Sequence, residues 1–190
     1  MTTDSVPVSG SFRNASQFRA SREAEARLLL LIDGFSRERN GLRSLQGRVK
    51  LAKLDFLLRY PAHLAKILGD RGAPESAAAE LISQDSPLES RMMRYRYGPW
   101  DPSHFAILGS LIGRGLVVMV PAAGTSAIGY RTTESGAELV AALTEDGAFD
   151  DVIDRVALLR RYLDLTGENL KRILYGIPEI ANATWHQELR

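Results

Sequence analysis

Tyr95-Arg96-Tyr97-Gly98-Pro99-Trp100-Asp101-Pro102, running on into Ser103-His104-Phe105-Ala106-Ile107-Leu108-Gly109-Ser110-Leu111-Ile112-Gly113, decides the fold. Asp101 suits a helix N-cap, and Pro102 suits the first helical position, where a missing N–H costs nothing. Phe105, Leu108, Leu111 and Ile112 then recur at helical spacing and predict an inward face. Gly113 and Gly115 bracket Arg114 and stop the helix. Leu116–Val120 and Ile128–Thr132 read as strands around a Pro-Ala-Ala-Gly-Thr-Ser loop. Helix, strand, loop, strand, helix is the layout of a winged helix-turn-helix. The predicted class is mainly α with a small β-hairpin wing, extended by N- and C-terminal helices. That layout favours a binding module over a catalyst.

Working outward, residues 1–21 read as a flexible Ser-rich tail with Phe12 and Phe18 as its only large anchors. A winged-helix domain is predicted over 22–146 and a C-terminal helical extension over 147–190. Ser21 can cap a helix over 22–36 that turns Ala24, Leu28, Leu31, Ile32 and Phe35 inward. A second helix is predicted from Ser44 to Arg59 with Leu45, Val49, Ala52, Phe56 and Leu57 inward, ended or bent by Pro61. His63–Leu68 reads as a further helical turn or two, and Ala77–Ile82 as helical within a punctuated 69–90 stretch. Gly98-Pro99 reads as a rigid turn aiming the helix that follows. After the wing, Thr132 or Thr133 opens a helix broken at Gly147. Another runs over 150–163, and Thr166 opens a last one closed by Pro178.

Composition narrows the classes. An apolar fraction of 45% fills a globular core. The chain has no cysteine, which removes disulfides, thiolate metal sites and thiol nucleophiles. Leu28–Ile32 is far short of a membrane span, and the first residues lack a signal-peptide pattern. A cytoplasmic, membrane-free protein is expected. His63, His104 and His186 lack metal-ligand spacing, Walker A and Gly-x-Ser-x-Gly patterns are absent, and no cofactor is called for. Asp150, Asp151 and Asp154 suit either a cation or the positive end of a helix dipole.

Net charge is only +1, yet its distribution is uneven. Arg37, Arg39, Arg43, Arg48, Lys50, Lys53 and Arg59 share their stretch with only Glu38 and Asp55, while Glu134–Asp154 holds acids and no Lys or Arg. This polarity fits separate surfaces for an anionic and a cationic partner, or ordinary solvated faces. The helix before the wing is predicted to expose Ser103, His104, Ala106, Gly109, Ser110 and Gly113, with Arg114 at its end. That face is poorly equipped for bidentate base reading, and the wing loop is uncharged. Arg43, Arg48, Lys50, Lys53, Arg94 and Arg96 are the candidates for non-specific phosphate contact. Tyr95, Tyr97 and Trp100, with His104, Ser110 and Arg114, are the candidates for partner contact, Trp100 serving either as a hot spot or as a core plug.

Five segments, taken in order, carry a resemblance: Lys53–Pro61 (KLDFLLRYP), Arg96–Asp101 (RYGPWD), Gly115-Leu116, Gly129–Gly136 (GYRTTESG) and Thr166–Glu179 (TGENLKRILYGIPE). Across residues 22–180 the chain resembles the winged-helix middle components of bacterial three-component ABC-ATPase systems, related to Lamassu-type anti-phage defence. The resemblance implies a non-catalytic accessory subunit. Its expected partners are an SMC-like ATPase subunit, a further effector subunit and double-stranded DNA held non-specifically. The alternatives are a dimeric winged-helix transcription regulator and an antitoxin-like inhibitor.

Overall fold

The computed structural model describes residues 21–36, 43–83, 92–95, 98–122, 127–184 and 186–189, the side chain of Tyr95 excepted. Their elements run α1 (Arg22–Ser36), β1 (Leu45–Gln46), α2 (Arg48–Arg59), α3 (Pro61–Asp70), α4 (Glu75–Ser83), β2 (Met93–Tyr95), β3 (Gly98–Trp100), α5 (His104–Gly113), β4 (Val117–Pro121), β5 (Ile128–Thr132), α6 (Glu134–Asp146), α7 (Asp150–Tyr162), α8 (Gly167–Tyr175) and α9 (Pro178–Ala181).

The wing is a three-stranded antiparallel sheet in the order β1-β5-β4. Met119 pairs with Tyr130 in the hairpin, and Leu45 pairs with Tyr130 on the other side. With α1, α2 and α5 this gives helix–strand–helix–helix–strand–strand, and the first strand lies beside the last. That is the winged helix-turn-helix, with α3, α4, β2 and β3 inserted between its second and third helices. Leu45 was expected inside the second helix. Gly47, at φ 76°, starts that helix three residues later, and Leu45-Gln46 is too short for any alternation to mark it as a strand.

α1 is the axis of the core. Leu28, Leu29, Leu30, Leu31 and Ile32 are all buried, so the helix is enclosed on every side rather than on one stripe. α2, α5, α6, α7 and β5 surround it. Residues of α7 to α9 and Leu189 share this same core, α7 packing onto α1 and α2 and α8 onto α2. Several predicted caps are in place. The Ser21 hydroxyl accepts from the Ala24 N–H, Thr133 accepts from Gly136, Thr166 accepts from Asn169, and Gly147 closes α6 at φ 75°.

Three local expectations are corrected. Gly98-Pro99 is strand, not turn, with Tyr95 paired to Gly98; Arg96 and Tyr97 lie outside the described residues. α3 is a full helix of 10 residues, with Pro61, expected to end or bend α2, in its first turn. Pro178 opens α9 instead of closing α8, which ends ahead of Gly176. Among the described residues, no helix is long and apolar enough to cross a membrane. The expected tail lies outside the description except for Ser21, as do wing-loop residues 123–126.

Candidate functional site

The helix ahead of the wing is turned differently from the expectation. His104, Ile107, Leu108 and Leu111 point inward, and Phe105 is 56% exposed. The cause is a buried charge cluster. Asp55, fully buried on α2, accepts from Arg27 Nε of α1 at 2.6 Å and from His104 Nε2 at 2.9 Å, with Arg59 Nη1 at 3.6 Å. Arg59 also donates to Asp101 at 2.7 Å. Burial pushes the Asp55 carboxyl up, but Arg27, His104 and Arg59 outweigh it and hold the group far below the usual carboxylate range. Burial likewise works against Asp101, which the Ser103 and Arg59 hydrogen bonds keep below its ordinary value. Asp101 accepts from the Ser103 N–H at 2.9 Å and ties the preceding turn to Arg59, but α5 itself starts at His104 with Ser103 as its N-cap, so the expectation of Asp101 as N-cap and Pro102 as first helical residue is corrected by two positions.

With His104 drawn inward, the outward face of α5 carries Phe105, Gly109 and Ile112 at spacings of four and three. Beside it stand Val49 of α2, Met119 of β4 and Ile128 of β5, all substantially exposed. These side chains line a groove of about 680 Å³ between the start of α2, α5 and the wing. A smaller recess of about 280 Å³ opens next to it, lined by Ala52, Pro99 and Trp100 as well as Val49 and Phe105. Trp100 lies edge-on to His104 at 5.2 Å and to Phe105 at 5.4 Å. Half-buried, it both backs the core and walls the recess. Arg48 borders both hollows, its guanidinium 4.8 Å from the centre of the Phe105 ring.

The six phosphate candidates do not form one surface. Lys53 is buried and donates to the Gly167 carbonyl at 2.7 Å, and desolvation pulls its ammonium below the ordinary lysine value. Arg94 is buried, donating to the Ile180 carbonyl at 3.0 Å and the Tyr175 hydroxyl at 2.9 Å. A phosphate cannot reach either head group, which corrects their assignment: each holds an α2 or β2 segment onto α8–α9. Lys50 and Arg43 both reach Asp164 at 3.0 Å. Arg48 is exposed and has no carboxylate partner among the described residues. Arg96 lies outside the described residues.

The partner-contact candidates also divide. His104 is corrected: it is 1% exposed and committed to Asp55. Ser110 is half-buried on α5, and Arg114 is exposed and paired with Glu25 at 2.8 Å. The Tyr95 side chain and Tyr97 lie outside the description. Trp100 is at the site. The residues missed were Phe105, Val49, Met119 and Ile128. Phe105 and Val49 each count into an apolar helical stripe, which predicts them as core. Met119 and Ile128 stand two residues from buried Val117 and Tyr130, on the same strand face, so strand alternation groups them with the core and gives no signal of their exposure. Comparisons with protein-family models, curated proteins and solved structures find no match for this chain.

Proposed function

We propose that this chain is a non-catalytic winged-helix accessory subunit that docks on a larger protein through the α5 face, in a complex built around an SMC-like ATPase. The observation that carries the reading is the chemistry of that face. Winged-helix DNA readers place Arg, Lys, Asn or Gln there to reach base edges. Here the outward positions of α5 are Phe105, Gly109 and Ile112, and the flanking surface is Val49, Met119 and Ile128. An apolar row of this kind suits a polypeptide, and α5 itself carries no Arg, Lys, Asn or Gln; the polar residues of the groove, Gln46, Arg48 and Lys50, sit at its edge on β1 and α2. The ATPase, a further effector subunit and an anti-phage role come from the resemblance in the five sequence segments.

DNA engagement is a secondary role in this reading. Arg48 and the exposed Arg43 can add phosphate contacts once the complex is on DNA, independent of sequence and weakened by salt.

The test is co-elution of the purified chain with an SMC-like ATPase encoded beside it, at micromolar concentration, and loss of co-elution with Phe105→Glu. Separate elution of the two wild-type proteins refutes the reading. A defined DNA site bound about 10³-fold or more over random duplex would replace it with the dimeric regulator.

A further inference from the structure

We infer that the α5 groove takes an amphipathic helix of a partner protein whose apolar stripe is flanked by a carboxylate that pairs with Arg48. This deepens the docking reading and rests on it. The apolar half of the match is the row Phe105, Ile112, Met119 and Ile128, with Val49 at the head of the groove. Such a row accepts side chains spaced three and four apart on one helical face. At the centre of the row, Gly109 has nothing within 4 Å of the position a Cβ would take, so the incoming backbone can approach α5 closely. Met119 adds a side chain that adapts to irregular anchors.

The electrostatic half is set by Arg48. Among the described residues both hollows are lined by cations and by no carboxylate, and Lys50 already donates to Asp164. Arg48 instead spreads over the exposed face of Phe105. An Arg lying on an aromatic ring at the edge of an apolar recess, beside Trp100, has the make-up of an interface hot spot. A basic or neutral helix would bury that guanidinium unpaired, whereas an acidic flank gives it a charge-assisted partner as water leaves. Among the described residues none of the exposed acids, from Glu23 of α1 to Glu188, lines either hollow. The inferred complementary carboxylate is the partner's.

The experiment selects a displayed library of amphipathic helices, each with an invariant leucine stripe and randomised flanks, on the full chain. Retained helices are expected to carry Asp or Glu beside the stripe. Arg48→Glu should lower their retention at least tenfold and favour Lys- or Arg-flanked helices instead. Phe105→Glu should retain neither kind while keeping the wild-type circular dichroism spectrum. The inference is overturned by no retention, by retained helices without acidic bias, or by undiminished retention on Phe105→Glu. It is also overturned if helices bind only after removal of residues 1–20, which would make that segment the occupant. A concentration-dependent dimer dissolved by Phe105→Glu would assign the groove to a second copy and overturn it too. Co-elution with the ATPase that survives Arg48→Glu, without acidic bias in the library, sinks this inference alone. Acidic bias without any co-elution sinks the proposed function and leaves the groove chemistry standing.

Discussion

Replacing Asp55 by Asn tests the arrangement that turns α5. Two cations, Arg27 and Arg59, and two carboxylates, Asp55 and Asp101, meet inside the protein with His104. Asn keeps the shape of Asp55 but removes one negative charge, and its amide places a donor against Arg27 or His104. Breaking a buried pair from one side costs about 3–5 kcal/mol, since the remaining charge stays dehydrated. That is a large share of the roughly 5–15 kcal/mol that holds a typical domain together. The assay is urea unfolding followed by circular dichroism, at pH 7 and then at falling pH. The folded Asp55 carboxyl lies far below its unfolded value of about 3.9, so its contribution is complete above that value. As pH falls past it, the unfolded chain takes up a proton that the folded protein refuses, and stability drops by up to about 1.4 kcal/mol per pH unit from this group. The gap between wild type and Asp55→Asn should therefore narrow as pH drops below about 4. Asp101 and Asp164 are also held low, but they titrate in both proteins and leave the difference largely intact. A loss under about 1 kcal/mol at pH 7, or a gap that stays constant in acid, would refute the reasoning.

Three further substitutions probe the frame and the groove. Gly34→Ala sets a methyl against Val156 Cγ1 where α1 crosses α7, and should destabilise by about 1–3 kcal/mol, with Val156→Ala restoring most of the loss in a double-mutant urea series. Thr133→Ala removes the acceptor for the Gly136 N–H at the start of α6, and a thermal melt should register a loss of about 1 kcal/mol. Phe105→Ser should cost well under the roughly 3–5 kcal/mol expected of a core phenylalanine, as read by urea midpoint, because the ring already faces solvent; a core-sized loss would contradict the groove.

What the sequence made legible was local. Ser21, Thr133 and Thr166 announce helix starts through their hydroxyls, Gly147 announces a stop, and the Leu116–Thr132 pattern gives the wing. Gly136 and Gly129 are glycine for a steric reason visible only in three dimensions: a Cβ would strike the Leu116 carbonyl or the Ser44 side chain. The error at α5 came from counting apolar residues. Phe105-Leu108-Leu111-Ile112 and His104-Ile107-Leu108-Leu111 both fit a helical period, and hydrophobicity alone favours the first. His104 wins because Asp55, 49 positions earlier, waits for it inside the core, and no spacing rule reports a pairing of that range. The same blindness hid the burial of Lys53 and Arg94, whose partners are backbone carbonyls at Gly167 and Ile180.

The enclosure of α1 bears on how the chain comes to be folded at all. Its leucine run is synthesised well before α6 and α7, the helices that cover two of its sides. At ordinary translation speeds that leaves the most aggregation-prone segment uncovered for on the order of ten seconds on each ribosome. Ribosomes stalled before Asp150 should accordingly carry a nascent chain that recruits holdase chaperones, and release past Tyr162 should discharge them.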